Sequence, residues 1–206
     1  AFAQASEGFQ TRLAVSLDRA DPWLIWDAVQ GAALGPLGQI LTAVDFSYFE
    51  EGFPPSEKRE FFDAVRGFNE RHPERALAIL YHVGESFPGK SLESAVRWVH
   101  QAADMGAHRL GHAISLGIDP VVFGSHQRME PVSEKIAQLE YDLSHAEGLA
   151  RHDVRVDKSG IRSDLEGLRG RPQGNTVTLK YDDSRLEEVR RRQNYAMERI
   201  RALNVV

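Results

Sequence analysis

Two histidines 30 positions apart, His82 and His112, are the residues of this chain best placed to do chemistry. Each ends an apolar run, "ALAILYH" (76–82) for the first and "AHRLGH" (107–112) for the second. A neutral imidazole is a common zinc ligand and a good proton donor or acceptor near neutral pH. Glu85 follows His82 by three residues, with Gly84 between them and Pro88-Gly89 breaking the chain beyond. Two imidazoles and a carboxylate at one mouth suit a metal-activated water with a separate proton donor. A single histidine at a strand end is better explained by backbone or water partners. The matched pair is what points to a site.

The elements that must position this pair read as alternating strand and helix. "TRLAVSLDR" (11–19) alternates Leu13, Val15 and Leu17 with smaller or polar residues. Asp21 caps a helix with Pro22 at its first position and Leu24, Ile25, Ala28, Val29 and Ala32 as its inward stripe. "QILTAVDFSYF" (39–49) is a strand with Val44 and Phe46 on one face and Asp45 and Ser47 on the other. A helix after Ser56 turns Phe61, Phe62, Val65 and Phe68 inward. "ALAILYH" is the third strand, Ser91 caps a third helix carrying Leu92, Ala95, Val96, Val99 and Ala103 inward, and "AHRLGHAI" (107–114) is the fourth strand. The βαβαβαβ order implies parallel strands joined by crossover helices. An open doubly wound sheet and part of a (β/α)8 barrel both satisfy it, and polar residues at the inner C-terminal strand ends favour the barrel. Adjacent parallel strands lie about 4.8 Å apart, so His82 and His112 would share one mouth.

The pattern changes from residue 126. A helix from Ser133 carries Ile136, Leu139, Leu143, Ala146 and Ala150 at near-heptad spacing, and "DKSGIRSDLEGLRGRPQGN" (157–175) reads as a long loop. "TVTLKY" is a short strand, and a helix opened by a Ser184/Glu187 capping box follows, supported by the pairs Glu187–Arg191 and Glu188–Arg192. The two helices are expected to form a hairpin projecting from the barrel. The division is thus 10–125 for the barrel part, 126–203 for a helical insertion and 204–206 for the start of a next strand. The chain opens without methionine and closes on "NVV", and the expectation is a piece of a longer protein.

Composition narrows the function classes. The 206 residues are enough for one domain with a sizeable core. A net charge of −5 gives no electrostatic reason to expect nucleic-acid or membrane binding. The absence of cysteine excludes disulfides and thiolate metal sites and fits a reducing, cytoplasmic setting. "AFAQASEGFQ" (1–10) lacks the basic segment and apolar core of a secretion signal.

Among the other polar residues, Asp45 is expected to support the site by hydrogen bonding. His100 is expected on a solvent-facing helix surface, His108 deeper on the strand that carries His112, and Arg109 in a structural ion pair. His126, His145 and His152 show no metal-ligand spacing, and the arginine run 190–192 reads as a solvated helix face. Trp98 reads as core, and Trp23 and Trp26 are candidates for a contact surface.

His82-Val83-Gly84-Glu85, followed by Arg109-Leu110-Gly111-His112-Ala113, resembles the paired motifs of the adenosine deaminase family of the amidohydrolase superfamily. The resemblance spans roughly residues 10–120. It implies strands 3 to 6 of a TIM barrel and the start of the seventh, and hydrolytic loss of ammonia from adenosine or a related aminopurine. By the resemblance His82 is a zinc ligand, Glu85 the donor of a proton to the purine ring, His112 the residue that orients or deprotonates the water, and Gly84 a substrate-binding residue. Ala113 stands where the family has glycine, and Tyr48, Phe49 and Glu50 stand where it has a Gly-acidic pair. The family's His-x-His is absent, and Asp182-Asp183 precedes a helix rather than ending a strand. One ligand does not hold zinc where three or four are usual. Zn2+ is therefore expected in a complete protein but not in this stretch alone. The expected partner is a small purine substrate, with the insertion a possible contact for a homo-oligomer. Two other readings stand beside this one. A two-metal amidohydrolase would need a fourth-strand lysine, which "LTAVDFSYFE" lacks. A non-catalytic relative would keep the barrel for binding or assembly.

Overall fold

The computed structural model describes residues 11–172 and 175–206. The segment 1–10 and its reading as no secretion signal lie outside them. Four strands, β1 (Leu13–Ser16), β2 (Leu41–Phe46), β3 (Ala78–Val83) and β4 (Arg109–His112), form one sheet in the order β1-β2-β3-β4. All three pairings are parallel, with His82 opposite Gly111 and Val83 opposite His112. The crossovers are α1 (Trp26–Leu34), α2 (Arg59–Arg71) and α3 (Leu92–Asp104).

Period-two alternation divides the sheet. Val44, Phe46, Ile79, Tyr81 and Val83 enter one core with Trp26, Phe61, Phe62, Val65, Phe68, Trp98 and Val99 from the three helices. The alternate residues Asp45, Leu80 and His82 are only partly buried on the opposite face. The chain is therefore α/β, with α1, α2 and α3 sharing one core against one face of a sequentially ordered parallel sheet. At the β4 edge, Leu110 N–H donates to Val206 O at 2.8 Å and Val206 N–H to His108 O at 3.3 Å, the bonding of a parallel neighbour. No helix among the described residues is long and apolar enough to cross a membrane.

Some local expectations shift. Asp21 caps a 3-10 turn, Pro22–Ile25, by accepting from Trp23 N–H, and α1 starts only at Trp26. Its buried stripe is consequently Trp26, Val29 and Ala33, while Leu24 and Ala28 face outward. Trp26 is core, edge-on to Phe61 and Phe68 at 5.2 and 5.9 Å, so it is not a contact surface; Trp23 is half exposed. Ser91 caps α3, its hydroxyl accepting from Ser94 N–H at 3.1 Å.

The segment after β4 has more structure than its sequence pattern shows. β5 (His126–Pro131), which sequence reading missed, pairs antiparallel with β6 (Thr176–Tyr181). Between them lie α4 (Val132–Ser144), α5 (Ala146–Ala150) and α6 (Lys158–Arg169). The stretch read as a loop therefore holds a helix over Lys158–Arg169, capped by Asp157 through the amides of Ser159 and Gly160. It is held by Leu165 and Leu168 against Val132 and Leu139. The last helix, α7 (Asp183–Ala202), is capped by Asp182, which accepts from Arg185 N–H, and not by Ser184.

The two long helices do not project. Both α4 and α7 lie against α3, whose outer polar positions are buried beneath them. Glu93 meets Arg185 at 2.7 Å and Arg192 at 3.0 Å, and Arg192 also reaches Asp142 at 2.6 Å and Glu188 at 2.9 Å. Arg97 pairs with Glu134, whose carboxylate also accepts from Trp98 Nε1 at 3.0 Å. Burial alone would raise the Glu93 carboxyl, but Arg185 and Arg192 outweigh it and hold it down at about 2. Arg192 is therefore no solvated helix face. His100, expected at the surface, is fully buried with its Nδ1 2.5 Å from the Tyr141 hydroxyl. Arg109 makes no ion pair with any described residue, and His108 is exposed with its Nδ1 accepting from Ile79 N–H at 3.0 Å.

Candidate functional site

The C-terminal ends of β2, β3 and β4 bring the expected residues together. The His82 and His112 rings lie 5.1 Å apart between centroids. His82 Nδ1 donates to Asp45 Oδ1 at 3.0 Å, which orients the ring and leaves Nε2 with no partner among the described residues. His112 Nε2 is 3.1 Å from Glu85 Oε2.

Backbone shape explains how this happens. Strand alternation would send His112 back toward the helix face, where Leu110 packs. Instead His112 and Ala113 both take left-handed backbone, with φ of 63° and 49°, and the chain turns the ring toward His82. Gly111 is required beneath it: a Cβ there would sit 2.5–2.9 Å from the His82 ring. Left-handed backbone costs a non-glycine residue roughly 1–2 kcal/mol, and glycine returns part of that as unfolded-chain entropy. Ala113→Gly should therefore stabilise the chain by roughly 0.5–1 kcal/mol, read as a higher urea midpoint. An unchanged midpoint would mean that Ala113 carries no strain.

The loop bearing Glu85 is clamped by a residue whose role is not visible in the sequence. Glu50 is buried, and its two oxygens accept from Gly84 N–H and Ser86 N–H, each at 2.8 Å. These amides flank Glu85 on both sides. Lys90, equally buried, neutralises Glu50 at 3.1 Å while its ammonium lies 4.2 Å from the centre of the Trp98 ring. Gly84 has φ 75°, and a Cβ there would fall 2.5 Å from Val99 Cγ2 and 2.6 Å from Ser115 Oγ. Its N–H is spent on Glu50, so Gly84 serves the site by letting the loop turn tightly.

Arg19 is the second residue that sequence reading missed. It is buried three residues beyond β1 and donates to the carbonyls of Tyr48 at 2.9 Å, Phe46 at 2.7 Å and His82. One guanidinium thus ties together the ends of three strands and lies 4.8 Å over the Tyr81 ring. The only sequence signal for it is an arginine at a strand end. Tyr48 and Phe49, by contrast, are exposed beside this mouth.

Chemically, the mouth offers one imidazole with a carboxylate behind it and a second imidazole paired with a second carboxylate. His82 backed by Asp45 has the form of a metal-ligating histidine with its outer partner in place. The donor set is incomplete, since among the described residues no three histidines or acidic side chains are grouped to hold a metal ion. His126, His145 and His152 lie in the segment after β4 and contribute nothing to this mouth. No protein-family model matches the chain, and no curated protein matches it.

Proposed function

We propose that these residues are part of the active site of a zinc-dependent hydrolase that deaminates adenosine or a related aminopurine. The observation that carries the reading is the convergence of the two motifs: His82 held by Asp45 at 3.0 Å, and His112 held by Glu85 at 3.1 Å, with the two rings 5.1 Å apart. Sequential order of the parallel strands and a shared helix core on one face support part of a TIM barrel, whose active sites lie at this end of the strands. The fit to zinc is that of one ligand, His82, and further ligands come from outside the described residues.

Zinc, when bound, would supply a water acidic enough to act near neutral pH. The chain's own residues do the rest. Asp45 holds the His82 ring so that Nε2 is the free donor atom. His112 orients the water and takes its proton, and its contact with Glu85 gives that proton a path onward. Glu85 passes a proton to the ring nitrogen of the substrate, which makes the amine-bearing carbon electrophilic. Water adds to that carbon, the proton it leaves on His112 passes to the amine nitrogen, and the C–N bond breaks with loss of ammonia. Glu50 and Lys90 position Glu85 without touching the substrate.

The test is ammonia release from adenosine, adenine and adenosine nucleotides by a polypeptide that carries this chain within a complete ligand set. Turnover that stops with a zinc chelator and returns with zinc is expected. Absence of ammonia from every aminopurine would overturn the reading.

A further inference from the structure

A cavity of about 380 Å³ opens on the insertion, bounded by α5, the start of α6 and the last turn of α7. Three cationic side chains from three separate elements line it: Arg151 after α5, Lys158 at the start of α6 and Arg199 in α7. Arg151 and Lys158 have no ion-pair partner among the described residues, and Arg199 reaches only Asp104, at 3.8 Å. Glu147 is the one acid in the lining. Asp157, beside Lys158, is spent on the amides of Ser159 and Gly160, and Glu198 is held by His152 at 2.8 Å. The chain's net charge is −5, yet three cations line this one cavity against a single acid, which favours an anion there.

A second observation points the same way. Tyr195 lines the cavity with its ring buried, only 3% of the residue being exposed. Gly148 makes room for it, since a Cβ there would lie 2.8 Å from that hydroxyl. Burial pushes the phenol up while Arg199 and Arg151 pull the other way, so at neutral pH the hydroxyl keeps its proton and can donate it to an acceptor in the cavity. Ser144 and His145 add a further hydroxyl and an imidazole to the wall.

We infer that this cavity binds a phosphate-bearing anion through Arg151, Lys158, Arg199 and the Tyr195 hydroxyl. A tetrahedral dianion offers several acceptor oxygens to such a set; the guanidinium forks and the lysine point charge are the usual partners of phosphate, and a single carboxylate would leave donors unused. The volume leaves room for more than inorganic phosphate. The site is independent of the mouth at His82.

The test uses the 206-residue chain at low ionic strength, with calorimetric titration of inorganic phosphate, pyrophosphate and adenosine monophosphate. Saturable binding is expected for at least one of them. Arg151 and Lys158 are exposed, so Arg151→Ala/Lys158→Ala should fold normally by circular dichroism and weaken binding at least tenfold. Tyr195→Phe keeps the packed ring and should weaken it several-fold. Arg190→Ala, a control arginine elsewhere on α7, should change nothing. Tighter binding of adenosine monophosphate than of phosphate would identify an organic phosphate as the ligand, and equal binding would identify the free ion. No binding of any of the three, or equal losses in the Arg190 control and the double variant, would overturn the inference.

Discussion

Glu50→Ala is expected to destabilise the chain by about 3–5 kcal/mol, the cost of stripping one member from a buried ion pair. The substitution leaves the Lys90 ammonium buried without its main partner, because Glu51, at 3.6 Å, is the more exposed and more distant of the two carboxylates. It also strips the acceptors from Gly84 N–H and Ser86 N–H, so the loop that presents Glu85 loses both of its ties. Urea unfolding reads the first effect and hydrogen exchange at the two amides reads the second. Adding Lys90→Met should recover part of the stability by removing the orphaned charge, but not the amide protection. This separates the role of Glu50 in holding the loop from its role in holding the lysine. A loss under about 1 kcal/mol for Glu50→Ala would mean that the loop stands without it.

The second large effect is on acid stability. Burial, then the nearby His145, lowers the His100 pKa from 6.5 to about 4. In the unfolded chain His100 takes up a proton near pH 6.5, whereas in the folded chain it stays neutral until about pH 4. Stability is therefore complete above pH 6.5 and is lost as the pH falls through that window. The loss should reach about 2 kcal/mol at pH 5 and about 3 kcal/mol at pH 4. His100→Leu removes this slope, although it leaves the Tyr141 hydroxyl without its partner and lowers stability at pH 7 as well. Glu93 does not confuse the result, since its contribution is lost only below the ordinary carboxylate value of 4.5. Unfolding free energies at pH 7 and pH 5 for both chains decide the matter: equal slopes would exclude His100 as the group responsible.

His100 also shows where sequence reading stops. Of the expected inward stripe of α3, Ala95, Val96, Val99 and Ala103 are buried, because apolar spacing reports one buried face, while Leu92 is half-buried against Tyr181, Leu186 and Val189 instead. Glu93, Arg97 and His100 on the other faces are of types that usually meet solvent. Only α4 and α7, packed on top, turn them into a buried network, and nothing local to α3 announces that cover. The same reasoning explains Arg192, buried among Glu93, Asp142 and Glu188 within an arginine run. β5 was missed because "HQRMEP" has only the weakest apolar alternation, and its pairing with β6 skips three helices.

The site was legible to a greater degree, and for a physical reason. A parallel strand-helix-strand unit fixes which strand ends are neighbours, so the spacing of His82 and His112 carried their meeting within it. Asp45 was placed by alternation alone. What the spacing could not carry was the left-handed turn at His112 and Ala113, or the long-range partners Arg19, Glu50 and Lys90 that hold the mouth in shape. Those depend on contacts between residues 29 to 63 positions apart.

The most direct test of the central claim measures zinc content and ammonia release together, in a polypeptide carrying this chain with its full ligand set, for His82→Gln and Glu85→Gln. The account predicts that Glu85→Gln keeps its zinc and loses turnover by about 100-fold or more, as expected on removing a positioned proton donor. His82→Gln should lose both zinc and turnover. Undiminished turnover in Glu85→Gln, or full zinc occupancy in His82→Gln, would contradict it.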